Sequence, residues 1–159
     1  MSEAFKGTIR AIALKPERRG PMHLVDTATV HEDGLEGNVG QERHITLLAQ
    51  EQWDVVQREL GGAMPWETRR ANILVEGIAS FSEIIGHKLK LGDVTLRIVG
   101  ETHPCSQMDH AQPGLQAALK PECRGGVHGR VVNGGTIRIG DRVTLGDARG
   151  DGRLSDEAN

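Results

Sequence analysis

The sequence predicts a β-rich fold, between all-β and α+β, with a few short helices. Three observations carry this. Glycine is abundant, with 21 of 159 residues, and the glycines fall between short apolar runs; each tight turn needs a residue that tolerates positive φ. Aromatic residues make up only 3% of the chain. Two segments also echo each other: Leu89-Lys90-Leu91-Gly92-Asp93-Val94-Thr95-Leu96 and Ile137-Arg138-Ile139-Gly140-Asp141-Arg142-Val143-Thr144-Leu145. In both, alternating apolar residues flank a Gly-Asp pair, which is a hairpin signal.

Taken in order, Thr8 to Leu14 suits a strand ended by Pro16, and Met22 to Val30 a second one. A glycine-rich bend follows from Asp33 to Gly40. Arg43 to Leu48 reads as a strand entering a helix over Ala49 to Leu60, with Trp53, Val56 and Leu60 on one face. Gly61-Gly62 ends that helix as a C-terminal cap does. Ile73 to Val75 is a short buried strand. Ser80-Phe81-Ser82-Glu83 fits a capping box opening one helical turn. Val94 to Val99 is a clear strand, and Pro113 to Leu119 suits a short helix starting near its proline. Asn133-Gly134 is a further hairpin turn. Residues 1–145 read as one domain, and 146–159 as a polar, disordered tail.

Composition narrows the function. Net charge is −3, with acids and bases interspersed. No basic stripe with interleaved aromatics occurs, so nucleic acid is not an expected partner. No apolar run approaches the ~20 residues of a membrane span. The first residues lack the apolar core of a signal peptide, so the expected location is the cytoplasm. Two cysteines are too few for a disulfide framework. The phosphate loop, the dinucleotide fingerprint and the serine elbow are all absent.

Four segments can carry chemistry. His103-Pro104-Cys105-Ser106 follows a strand end, where loops on a rigid scaffold place reactive groups. A thiolate is both a strong nucleophile and a soft-metal ligand. From this segment alone, a buried inert cysteine remains as good a reading. Arg69-Arg70-Ala71-Asn72 offers guanidinium groups for phosphate and an amide for a polar ring; solvated arginines before a strand would look the same. Arg43-His44 follows the glycine-rich bend and suits an anion site. In Arg124-Gly125-Gly126-Val127-His128-Gly129-Arg130, two glycines permit close backbone approach to a ligand, and Arg130 can neutralise an anion. A zinc site from His103, Cys105, His110, Cys123 and His128 is disfavoured, because no close ligand pair of the usual spacing occurs.

In sequence order the pieces Asp33-Gly34-Leu35-Glu36-Gly37, Arg43-His44-Ile45-Thr46-Leu47-Leu48, Arg70-Ala71-Asn72-Ile73-Leu74-Val75-Glu76-Gly77, Leu91-Gly92-Asp93, Pro104-Cys105, Gly125-Gly126-Val127 and Gly140-Asp141 resemble a MOSC domain, the C-terminal domain of molybdenum-cofactor sulfurases. The resemblance runs from about Gly7 to Leu145. It implies a twisted β-barrel with a few short helices. It also implies that Cys105 takes the catalytic and metal-binding role, and that Arg70 and Asn72 contact the molybdenum cofactor (molybdopterin). Arg43 and His44 are looser matches; His103, placed to support the thiolate, and Arg130, placed to neutralise phosphate, complete the expected cofactor-binding set. Asn38 stands where relatives often carry an aspartate.

The expected function is a molybdenum-cofactor protein that reduces N–O or S–O bonds in small substrates, supplied by a separate electron-donor protein. A sulfur carrier is the alternative, with a persulfide on Cys105 received from a pyridoxal-phosphate desulfurase and handed to a partner. A non-catalytic cofactor-binding or docking module is the third reading.

Overall fold

The first strand sets the geometry. β1 (Lys6–Leu14) buries Ile9 and Ile12, three residues apart, where simple alternation would put one of them in solvent. A bulge resolves this. Ile9 pairs with Val75 and Ala11 with Leu74, so Arg10 is the extra residue and swings outward. The structure, a computed structural model, describes residues 6–39 and 44–146.

The strands that follow are β2 (His23–Val25), β3 (Thr27–His31), β4 (Gly34–Leu35), β5 (Ile45–Ala49), β6 (Ile73–Glu76), β7 (Lys88–Leu91), β8 (Val94–Glu101), β9 (Val127–Asn133), β10 (Gly135–Arg138) and β11 (Arg142–Leu145). The helices are α1 (Gln50–Leu60), α2 (Gln107–Ala111) and α3 (Leu115–Ala118), with 3₁₀ turns at Trp66–Arg69 and Pro121–Cys123.

Seven strands close a barrel in the order β1-β11-β7-β8-β9-β5-β6 and back to β1, with β2 added beside β1. Every pair is antiparallel except β5 and β6, whose parallel register needs a crossover; α1 supplies it. β5 is therefore buried on both faces, and all five of its residues are inside. Ile45, Leu47 and Ala49 join the main core with Ile9, Phe81, Leu96 and Val143. Leu48 instead joins Trp53, Val56, Leu74, Met108, Leu115 and Leu119 in a second core beneath the helices. A three-stranded sheet, β10-β3-β4, adds Ala28, Val30, Leu35 and Ile137 to the main core.

The β-rich class, the barrel and the few short helices expected from the sequence are all present. α1 ends as expected, with Gly61 at φ +67 and Gly62 donating to the Gln57 carbonyl. The Gly92-Asp93 hairpin forms, with Leu91 opposite Val94. Four local readings change. The strand read over Met22 to Val30 is two strands parted at Asp26. Ser80–Glu83 forms turns rather than a helical turn, because Ser80 Oγ accepts the Ser82 N–H and forms a short side-chain turn. Neither Gly140-Asp141 nor Asn133-Gly134 closes a hairpin: β10 pairs β3, while β9 and β11 belong to the barrel. Those turns carry the chain between the two sheets. The helix α2, directly after Cys105, has no clear sequence signal. Residues 147–159, read as a tail, lie outside the described residues. No described helix is long and apolar enough to cross a membrane.

Gly126 holds the β5–β9 junction. It sits at φ +98, and a Cβ there would press into the Leu47 carbonyl. Gly86, at φ +93, faces open space. Gly86→Ala should therefore cost about 1 kcal/mol, the left-handed backbone penalty alone. Gly126→Ala should cost about 3 kcal/mol or more, because a backbone shift is added. Urea unfolding of the two variants checks this; equal losses would show that the junction relaxes freely.

Candidate functional site

An open cleft of about 300 Å³ lies where β8, the start of β9, the Trp66–Arg69 turn and the loop after β1 meet. Its lining includes Cys105, His44, His103, Asn72 and four cations: Lys15, Arg18, Arg69 and Arg70. No described lining residue is a carboxylate. The charges feel one another. Burial lowers the Lys15 pKa, and the positive charges of Arg70 and Arg18 lower it further.

Cys105 is an exposed free thiol on the loop between β8 and α2. Its carbonyl accepts the Met108 N–H at 2.9 Å, which anchors the loop to the first turn of α2. Beneath it lies Arg69, only 8% exposed. The Arg69 guanidinium donates from Nε to the Gly125 carbonyl at 3.0 Å and from Nη2 to the Thr102 carbonyl at 2.9 Å. Its Nη1 approaches Met108 Sδ at 3.8 Å. Burial lowers the Arg69 pKa, while the negative charge of a Cys105 thiolate pulls it back up. Arginine and cysteine are thus electrostatic neighbours.

The two consecutive arginines point to different jobs. Arg70 takes the left-handed conformation, φ +64, at the end of the 3₁₀ turn. That twist sends its guanidinium outward to the Gly20 carbonyl at 2.6 Å and the Arg18 carbonyl at 3.4 Å. A non-glycine residue held at positive φ is a strain of order 1 kcal/mol or more, common at functional sites. Gly125 serves Arg69. A Cβ at 125 would stand 2.9 Å from the Thr102 carbonyl oxygen and 3.3 Å from Arg69 Nη2. Both glycines make room for the chain itself, and Gly125 also lines the cleft.

Asn72 lines the cleft, but its amide is fully engaged. Oδ1 accepts the Thr46 N–H and hydroxyl, each at 3.1 Å. Nδ2 donates to the Ala13 carbonyl at 3.1 Å and to Asn38 Oδ1 at 3.0 Å. Asn38 Oδ1 also accepts the Lys15 N–H at 2.7 Å. Asn38 thus acts through its oxygen, a part that an aspartate side chain plays equally well. The network ties β1, β5 and the bend together under the cleft. Thr102 Oγ1, in the wall, is buried with no hydrogen-bond partner.

His44 and His103 stand at the rim. His44 stacks on His128, ring centroids 4.8 Å apart, and its Nε2 lies 3.5 Å from Arg130 Nε. Burial, then Arg130, lowers the His44 pKa; burial, then His44 and His103, lowers that of His128. His103 pairs with Glu101 at 3.7 Å. Arg130 touches His44 but does not line the cleft. Arg43 lies outside the described residues. Cys123 is buried in the main core, and burial raises its pKa, with Glu101 adding to the effect. Among the described residues, no group of three or more His, Cys, Asp or Glu is arranged to hold a metal ion.

Sequence reasoning thus pointed to Cys105, Arg70, Asn72, His44 and His103, and the fold gathers all five into one cleft. Lys15 and Arg18 are not among the sequence candidates, and His128 is there only in a disfavoured zinc set and a glycine-rich segment. Arg69 sat in the same motif as Arg70, and only the fold shows which arginine turns inward.

The sequence matches the MOSC domain family over residues 34–144. No functionally curated protein matches it. Solved structures share the fold. The YuaD protein of Bacillus subtilis superposes with a TM-score of 0.76 at 17% identity, covering 89% of this chain and 96% of its own. YiiM from Geobacillus stearothermophilus gives 0.72 at 19% identity, covering 94% and 79%. YiiM from Escherichia coli gives 0.67 at 16% identity, covering 88% and 70%.

The stacked histidines make stability pH-dependent. Above the unfolded histidine value of about 6.5, both states hold His44 and His128 neutral. Below it the unfolded chain takes protons that the folded site resists, so stability is lost as pH falls toward the lower folded values. The urea midpoint should drop between pH 7 and pH 5, and the drop should shrink in a His44→Gln/His128→Gln variant. An unchanged drop would show that other groups set it.

Proposed function

The chain belongs to the MOSC domain family, and on that premise we propose that the cleft takes the molybdenum cofactor, with Cys105 as thiolate ligand, and that the loaded protein reduces N–O or S–O bonds in small substrates. The observation that carries this reading is the donor set. One exposed soft thiol stands beside four cations in a cleft whose described lining has no carboxylate. A soft metal in dithiolene sulfur accepts a thiolate. A phosphate-bearing group is matched by arginines, which bind such oxygens bidentately.

When bound, the cofactor supplies a metal able to exchange electrons with an oxidised substrate. The residues of the chain bind and orient. Arg69 fixes the cysteine loop from beneath through the Thr102 carbonyl. Arg70, Arg18 and Lys15 form the positive wall suited to phosphate. The unpartnered Thr102 hydroxyl is the one buried polar atom in that wall left with hydrogen-bonding capacity among the described residues. His44, its pKa lowered by burial and by Arg130, can hold or release a proton at the rim.

A sulfur carrier is the second reading, favoured by the exposure of Cys105, which leaves its sulfur open to a donor protein. Protein produced in cofactor-competent cells separates the two. Stoichiometric molybdenum that disappears in Cys105→Ala supports the first. A mass increment of one sulfur on Cys105 without molybdenum supports the second. Cys105→Ala should leave the melting temperature unchanged, since the side chain packs against no core.

Arg70→Ala should weaken cofactor retention about tenfold, the worth of one charge-assisted hydrogen bond, and leave the fold intact. Among the described residues its side chain bonds only to carbonyls of an exposed loop. Full molybdenum content in that variant after gel filtration would remove Arg70 from the phosphate wall.

A further inference from the structure

Three cations stand in one cross-strand row on the outside of the barrel. Lys88 of β7 faces Arg97 of β8, and Arg97 faces Arg130 of β9. Directly opposed like charges destabilise a sheet. Among the described residues none of the three is in an ion pair. Arg97 has only a long contact, 3.5 Å, to the Gly86 carbonyl, and Arg130 has only His44 at 3.5 Å. The chain as a whole carries −3, so this row is a local reversal of sign.

Two bulges bracket the central pair. The β8–β9 register slips between Ile98 and Gly100 and again between Thr95 and Leu96. The first slip makes Val99 the extra residue, and the second does the same to Val132. These valines are 45% and 48% exposed. Bulges re-aim side chains, often beside active sites. Here they put one apolar residue toward solvent on each side of the Arg97–Arg130 pair. At its β9 end the row reaches His44, which lines the Cys105 cleft.

The geometry points to this face as the docking surface for a small acidic redox protein, whose carboxylates cover the row while the two valines give apolar anchors. Three features favour such a partner over a nucleic acid: the short row, the apolar anchors and the lack of any aromatic on it for base stacking. The inference rests on the proposed reading of the cleft as the site of a molybdenum-dependent reduction, whose two electrons a donor must supply. It adds where the donor sits: along β7, β8 and β9, against the cleft rim. Charge complementarity of this kind sets encounter rate and salt dependence.

The test uses molybdenum-loaded protein and two purified acidic carriers as probes, a flavodoxin and a plant-type ferredoxin, in biolayer interferometry. Binding of at least one is expected at about 20 mM salt, and should fall steeply by about 200 mM. Lys88→Glu/Arg97→Glu should weaken it tenfold or more. Arg10→Glu, which removes a cation paired with Glu76 on another part of the barrel, should leave it unchanged. Molybdenum content measured on the same samples keeps the two readings apart, since the double variant should load fully. Arg97→Gln should melt at the same temperature as the parent or higher, because it relieves like charge. The docking face is overturned if neither carrier binds, if the double variant binds as the parent does, or if Arg97→Gln melts lower. It is equally overturned if light scattering shows the parent self-associating through this row and the double variant not.

Discussion

The buried Arg69 guanidinium is the interaction on which the site depends. It runs beneath the cysteine loop and holds two backbone carbonyls, Gly125 at the entrance to β9 and Thr102 at the exit of β8. Removing a guanidinium from water is costly, so it must be hydrogen-bonded and matched by nearby negative groups. The Gly125 and Thr102 carbonyl oxygens supply that match. Gly125 makes it sterically possible. One arginine therefore fixes the distance between the reactive loop and the barrel and places a positive charge behind the sulfur.

Around it, the fold separates support from function. Asn72 and Asn38 spend their hydrogen bonds on Thr46, Ala13 and Lys15 backbone and side-chain groups, and so hold the cleft walls in register. The remaining lining groups, Lys15, Arg18 and Arg70, are left to act on whatever enters. Buried polar networks of this kind rigidify a site because every member is satisfied at once. The rigidity matters for a cationic cleft: repulsion among Lys15, Arg18 and Arg70 would open it unless the scaffold held them together.

The class of fold was legible because the glycine punctuation and the alternating runs are local. The strand over Thr8–Leu14, the strand over Arg43–Leu48 and the helix over Ala49–Leu60 could be read from pattern alone. What pairs with what was not legible. The Gly140-Asp141 echo looks like the Gly92-Asp93 hairpin apart from the extra Arg142, yet β10 leaves for β3 because Ile137 buries into the core opposite Ala28. Turn chemistry specifies a bend; long-range burial decides the partner. The same limit applied at the site. Cys105, Arg70 and Asn72 stood out as residue types in a motif. The inward turn of Arg69 follows from the left-handed backbone at Arg70 and the absent side chain at Gly125, which lie far apart in sequence. The stacking of His128 on His44 was not legible for a similar reason: the rings meet only because β9 lies beside the start of β5.

Strain and like charge gather on the same side of the molecule. The non-glycine residues at positive φ among those described are Arg70, Glu122 and Cys123, and the last two lead directly into the Gly125-Gly126 entrance of β9. β9 then carries His128, with its pKa lowered by its neighbours, and Arg130, opposed to Arg97. A chain selected only for stability would relax such features. The Glu122 carbonyl shows how the strain is held: Gln52 Nε2 donates to it at 2.8 Å from α1. The helix that makes the β5–β6 crossover possible also clamps the strained turn behind the cleft. Barrel closure and site geometry thus share α1: its Gln52 holds the Glu122 carbonyl, and the same turn leads to Gly125, whose carbonyl Arg69 holds beneath the cysteine loop.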